Sequence, residues 1–165
     1  MIAALRIVGM VAGAAFIWVV VAAQVPSHQR LPVAGVVAGA VISQPFGCTS
    51  FALEPYDPFC AGRHIHTGID LAAPVGAAVH SATAGVAHVG VDPNGAGIYV
   101  VVYLDAHVRV FYCHLSAIAV VNGQTVSAGQ VIGALGETGR ATGPHVHFEV
   151  QVDGTSVDPA TWLAS

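Results

Sequence analysis

Residues 98–115 read IYVVVYLDAHVRVFYCHL. Two runs in this stretch, Ile98–Leu104 and His107–Leu115, are rich in β-branched and aromatic residues, which suit a pleated, half-buried backbone. Only Asp105 and Ala106 separate them, so the stretch is predicted to be a β-hairpin turning at that pair. His114 then sits near the end of a strand.

The same texture extends in both directions. Val79–Val91 predicts two short strands around Gly85, and Asp92-Pro93-Asn94-Gly95 is a turn signal ahead of Ile98. Gln130–Leu135 and His145–Val152 are expected to form a last strand pair. The loop between them, Gly136–Pro144, contains Gly136, Gly139 and Gly143 and reads either as a groove wall that a backbone can approach closely or as an ordinary connector. From Val41 onward the chain is therefore all-β: an antiparallel sheet or sandwich with long loops. Helix is expected only at Ser116–Ala119 and Pro159–Leu163.

A length of 165 residues leaves room for one domain with a real core. The net charge is near -4 and every basic residue is an arginine, so no basic patch points to nucleic acid. Ile7–Ala23 is unbroken by charge behind Arg6 and predicts an N-terminal hydrophobic helix, either a transmembrane anchor or a signal peptide cleaved after Val21-Ala22-Ala23. Seventeen residues exceed the usual signal-peptide apolar region and reach the lower limit for a span, which favours the anchor. The expected partition is anchor or signal in 1–23, linker in 24–40 and a folded domain in 41–165, placed in the cell envelope outside the cytoplasm.

Three cysteines suit an exported protein with one disulfide and one spare thiol. Cys48 and Cys60 bracket a Pro-rich, acidic loop and form the expected pair. A structural zinc site using Cys48, Cys60 and His64, or two unpaired buried thiols, are the alternatives. Cys113 is free in each case.

Chemistry concentrates in three segments: His66-Thr67-Gly68-Ile69-Asp70, Tyr112-Cys113-His114-Leu115 and His145-Val146-His147. Neutral imidazoles and a carboxylate are the usual ligands of catalytic zinc, which takes three protein groups and keeps a fourth position open. His145 and His147 share a strand face at i, i+2. Gly68 with β-branched Thr67 and Ile69 disfavours helix between His66 and Asp70, so this segment also reads as extended. Five candidates exceed the metal's need by two, and zinc hydrolysis also needs groups to move a proton and stabilise an oxyanion. Spacing alone does not divide the five. Glu149, two residues past His147, is a candidate to orient a ligand imidazole, or else a surface residue. His28, His64, His80, His88 and His107 are assigned structural or surface roles, although His64 could share the cleft face of His66.

Taken together, HTGID (66–70), YCHL (112–115) and GRATGPHVHFEV (139–150) resemble the lysostaphin-type, LytM-like zinc metallopeptidases, which cut peptides in bacterial cell walls. The resemblance spans Gln44–Trp162 and includes QPFG (44–47), APVG (73–76) and VSAGQVIG (126–133). It implies Zn2+ held by His66, Asp70 and His147, with His114 and His145 as catalytic histidines. It further implies an endopeptidase whose partners are peptidoglycan stems or cross-bridges, while the apolar N-terminal segment separately predicts export and a membrane contact. Cys113 departs from the pattern, since glycine or alanine more often precedes that histidine. The alternative within the same resemblance is a non-catalytic regulator that activates another wall hydrolase. A zinc-dependent wall-binding module is a third reading.

Overall fold

The computed structural model describes residues 30–165, and the expected hydrophobic helix over Ile7–Ala23 lies outside the described residues. Along the chain come α1 (Val33–Val36), β1 (Val41–Gln44), β2 (Gly47–Thr49), β3 (His64–His66), β4 (Ile69–Ala72), β5 (Ala78–His80) and β6 (Gly85–Asp92). They are followed by β7 (Gly97–Tyr103), β8 (Val108–Ile118), β9 (Gln124–Val126), β10 (Val131–Leu135), β11 (His145–Val152), β12 (Thr155–Val157) and α2 (Pro159–Ala164). The main sheet runs β1-β4-β11-β8-β7-β6-β9, with β12 beside β11 and β10 joining β5 to the end of β8. A separate pair, β2 and β3, carries His66. Every pairing between these strands is antiparallel. Among the described residues no helix is long and apolar enough to cross a membrane.

The hairpin that the sequence predicts over residues 98–115 is β7 and β8, with Val102 opposite Val110 and Val100 opposite Tyr112. Asp105 closes it, its Oδ1 accepting the backbone N–H groups of His107 at 2.8 Å and Val108 at 2.9 Å. Asp92 performs a similar service between β6 and β7, accepting from the Asn94 N–H.

Strand alternation gives the main sheet two functions. Along β11, Val146, Phe148 and Val150 are fully buried in the core, while His145, His147 and Glu149 point to the opposite face. Along β4, Ile69 and Leu71 enter the same core and Asp70 turns away from it. A one-residue slip in either strand would exchange core and site side chains, so packing fixes the register of the site.

Three local expectations are corrected. Val36 and Val37 are fully buried, so the segment expected as linker packs into the domain before residue 40; its apolar β-branched side chains find a core rather than solvent. Ser116–Ile118 is strand, not helix, because Gly133 and Ala134 of β10 pair with Ile118 and Ala117, and that pairing overrides a weak local preference. Strands β10 and β11 are not a hairpin. They meet only at the bridge between Gly136 and His145.

Tyr112 ties the sheet to the Ser81–Thr83 segment. It is fully buried, its ring lies 5.3 Å from that of Phe148, and its hydroxyl accepts the Ala82 N–H at 2.7 Å. Tyr112→Phe would leave a buried N–H without its partner, at a cost of about 1–3 kcal/mol. Urea unfolding should show a lower midpoint with an unchanged slope, and an unshifted midpoint would refute this role.

Candidate metal centre

Three strands deliver one donor atom each. His66 ends β3, while Asp70 on β4 and His147 on β11 are direct cross-strand partners. Gly68 permits the approach, since a Cβ there would lie 2.5 Å from the Phe148 carbonyl oxygen and 3.0 Å from the His147 ring. The resulting separations are 3.0 Å between His66 Nε2 and His147 Nδ1, and 3.1 Å from each nitrogen to Asp70 Oδ1.

The outer hydrogen bonds determine what those three atoms offer. His66 Nδ1–H donates to the Pro45 carbonyl at 2.9 Å, which leaves Nε2 as a lone pair. His147 Nε2–H faces Glu149 Oε2 at 3.4 Å, which leaves Nδ1 as a lone pair. Two imidazole lone pairs and a carboxylate oxygen thus converge with no proton between them while both rings are neutral. A cation relieves that repulsion. Ligands about 2.0–2.1 Å from a tetrahedral zinc stand about 3.3–3.4 Å apart, close to the observed triangle, and the donor set of two nitrogens and one oxygen suits such an ion. The three residues could hold a metal ion.

Without a cation, a proton is drawn to the same place. Burial opposes charge on His147, but hydrogen bonds to Asp70 and Glu149 outweigh it and push its pKa up to about 9. Burial likewise opposes charge on Asp70, yet the hydrogen bond from a protonated His147 and the closeness of His66 hold its carboxyl far below the usual range.

His114 and His145 stand beside the triangle. Their ring centroids are 4.8 Å apart, and His145 Nε2 is 3.7 Å from Asp70 Oδ1. A bulge aims His114: Val100 pairs with Tyr112 but Ile98 with Leu115, so β8 holds one extra residue there. His114 has φ 64°, a left-handed conformation that costs a non-glycine residue about 1–3 kcal/mol. Its N–H donates to Ala96 and its Nδ1–H to the Thr138 carbonyl, both at 2.8 Å, which holds it in place. His145 Nδ1–H donates to the Gly143 carbonyl at 2.8 Å. Both rings therefore keep Nε2 free to accept a proton. Burial and the neighbouring histidines lower the pKa of His114, with the Thr138 bond and Asp70 opposing.

Glu149 lies on an interior strand and not at an edge. Its Oε1 accepts from Gln151 at 2.7 Å and Ser156 at 2.6 Å, and its Oε2 from Thr67 at 3.1 Å, so its approach to His147 is fixed from several sides. Cys113 is free and buried; burial, with the charges of Glu149 and Asp70, pushes its thiol up to about 12. His64 does not join the site and instead donates Nδ1–H to the Glu54 carbonyl at 2.7 Å. The backbone carbonyls of Pro45, Thr138 and Gly143 that set the imidazole tautomers carry no side-chain signal in the sequence.

A cleft of about 360 Å³ opens above these groups. Phe51, Leu53 and Glu54 form one wall, on the loop closed by the Cys48–Cys60 disulfide. Arg140 and Thr142 stand on the other, within the Gly136–Pro144 loop. Phe51, Leu53 and Arg140 were not legible as site residues, because nothing local to them marks a cleft.

Two consequences are testable. Glu149→Ala should weaken metal binding about 10–100-fold in competition with a chromogenic chelator, as expected when an orienting hydrogen bond to a ligand imidazole is lost; unchanged affinity would remove Glu149 from this role. Cys113 should resist iodoacetamide at neutral pH until the chain is unfolded, as mass spectrometry would show, and rapid labelling of the native chain would contradict its burial.

Comparison with known proteins agrees with this geometry. Residues 64–159 match the model of peptidase family M23. The chain is 38% identical over 120 residues to the DD-carboxypeptidase/endopeptidase Mpg of Neisseria meningitidis, a match that covers 73% of this chain and 26% of that protein. The chain thus spans about a quarter of that relative's length. It superposes on a zinc containing peptidase from Vibrio cholerae with a TM-score of 0.65 and 38% identity, covering 76% of this chain and 37% of that one. The catalytic domain of the antimicrobial peptidase lysostaphin from Staphylococcus simulans gives a TM-score of 0.63 and 31% identity, covering 76% and 93%. The family match takes in more than half of the sequence, and on that ground the chain belongs to peptidase family M23.

Proposed function

We propose that this chain is an exported zinc metalloendopeptidase that hydrolyses peptide bonds in the stems or cross-bridges of peptidoglycan. The observation that carries the proposal is the convergence of His66 Nε2, Asp70 Oδ1 and His147 Nδ1 within 3.1 Å of one another, beside two further histidines in an open cleft. The family membership supports a peptidase, and the name of one relative, the peptidoglycan DD-endopeptidase ShyA of Vibrio cholerae, 44% identical over 93 residues, points to the wall as substrate. A non-catalytic regulator would have no need of this full donor set.

In this reading His66, Asp70 and His147 are the metal ligands, and His114 and His145 are catalytic. A zinc ion held there supplies Lewis acidity and lowers the pKa of a water molecule toward about 7. The Nε2 atoms of His114 and His145, left free by the carbonyls of Thr138 and Gly143, divide the remaining work. One takes a proton from the attacking water; the other holds a proton toward the developing oxyanion. Glu149 keeps His147 Nε2 protonated and its Nδ1 available.

The Cys48–Cys60 bond supports an oxidising compartment outside the cytoplasm. Residues 1–23 then serve as export signal or membrane anchor, with the catalytic unit beginning by Leu31, whose N–H donates to the Ala82 carbonyl at 2.8 Å.

Digestion of purified peptidoglycans of different cross-bridge chemistry by the zinc-loaded chain tests the proposal. Fragments should appear by mass spectrometry, vanish with a chelator and return with zinc. His114→Ala should retain zinc and lose about 10²–10⁴-fold in turnover. An intact wall after treatment with the zinc-loaded chain, or full turnover by His114→Ala, would overturn it.

A further inference from the structure

Arg140 is the one arginine among the described residues that borders the cleft. The other three are engaged elsewhere. Arg30 stacks on Trp162 and donates to its carbonyl, Arg63 donates to the Tyr56 hydroxyl, and Arg109 donates to Gln151. Arg140 reaches over the cleft, where its Nη2–H donates to the Leu53 carbonyl on the disulfide-closed loop. Among the described residues it has no carboxylate partner. A guanidinium carries a full charge and five N–H donors in a planar fork, and one neutral carbonyl leaves most of that capacity unused.

The backbone beneath Arg140 is held firmly. Its N–H donates to the Gly95 carbonyl at 2.9 Å. Gly139, at φ 71°, lies flat against the turn that precedes β7, where a Cβ would come within 2.3 Å of Gly97 N and 2.5 Å of Gly95 O. Thr138, two residues before Arg140, accepts the Nδ1–H of His114. One short segment therefore positions both a proposed catalytic imidazole and the guanidinium. The carboxylates lining the cleft are engaged with other groups: Asp70 with His66 and His147, Glu149 with Thr67, Gln151 and Ser156, and Glu54 with Gln44, whose Nε2–H donates to its Oε1 at 3.1 Å.

We infer that Arg140 is a substrate-binding residue that captures a free carboxylate of the bound peptide and so selects peptides carrying one close to the scissile bond. The inference rests on the peptidase reading and adds a substrate class to it. The incoming carboxylate displaces the Leu53 carbonyl and exchanges one neutral acceptor for a bidentate, charge-assisted pair. No covalent change is involved.

The test uses cross-linked peptides released from peptidoglycan, native or with their free carboxylates amidated by carbodiimide and ammonia. The zinc-loaded 165-residue chain should cleave the native peptide with kcat/KM about tenfold above the amidated one. Arg140→Gln should lose about tenfold on the native peptide, chiefly through KM, and markedly less on the amidated peptide, so that the preference between the two disappears. Arg140→Lys should recover part of the loss. Calorimetry with the metal-free chain and the cleaved peptide reads the same contact without turnover, and Arg140→Gln should weaken it by a similar factor only when the carboxylate is present. Equal cleavage of the two peptides by the unsubstituted chain, or a preference that survives Arg140→Gln, would overturn the inference while leaving the peptidase reading intact. Cleavage of neither peptide would overturn the peptidase reading and this inference with it.

Discussion

Three lone pairs meeting at 3.0–3.1 Å are the constraint on which the rest of this structure depends. Such a cluster repels itself unless a cation or a proton sits among its members. The fold holds it together through features far stronger than the cluster itself: the register of β4 against β11, the burial of Ile69, Leu71, Val146 and Phe148 behind it, and the close approach allowed at Gly68. Core packing on one face of the sheet thus positions polar chemistry on the other. Folding alone therefore assembles the three donors.

The two remaining histidines are held by different means. His145 follows from β11 alternation, whereas His114 needs an extra residue in β8 and a left-handed backbone. Strain of that kind persists only where the surroundings over-determine it. Here the Ala96 and Thr138 carbonyls do so, and Thr138 is itself locked by hydrogen bonds from its hydroxyl to the Leu115 carbonyl and from the Ile98 N–H. The Gly136–Pro144 loop, ambiguous in composition, is in this sense a positioning element as well as a cleft wall.

The sequence made much of this legible because strand periodicity is local. Val146, Phe148 and Val150 alternating with His145, His147 and Glu149 reveal both faces of β11 without any tertiary information. The hairpin over residues 98–115 and the terminal helix from Pro159 were equally readable, and in the structure Asp158 Oδ1 caps that helix at the Ala160 N–H. What stayed hidden depends on partners distant in sequence. Ser116–Ile118 becomes strand because β10 supplies pairing, Val36 and Val37 become core because the domain offers a place for them, and Leu53 meets Arg140 at a sequence separation of 87. The proposed division of five polar groups into ligands and proton carriers came from resemblance and not from spacing, because the tautomers of His66, His114 and His145 are set by backbone carbonyls.

The measurement that tests the central claim most directly is zinc stoichiometry in the full chain after gel filtration, read by plasma mass spectrometry. The account predicts one zinc per chain, and loss of stoichiometric zinc in each of His66→Ala, Asp70→Ala and His147→Ala. Full zinc occupancy in all three variants would contradict it.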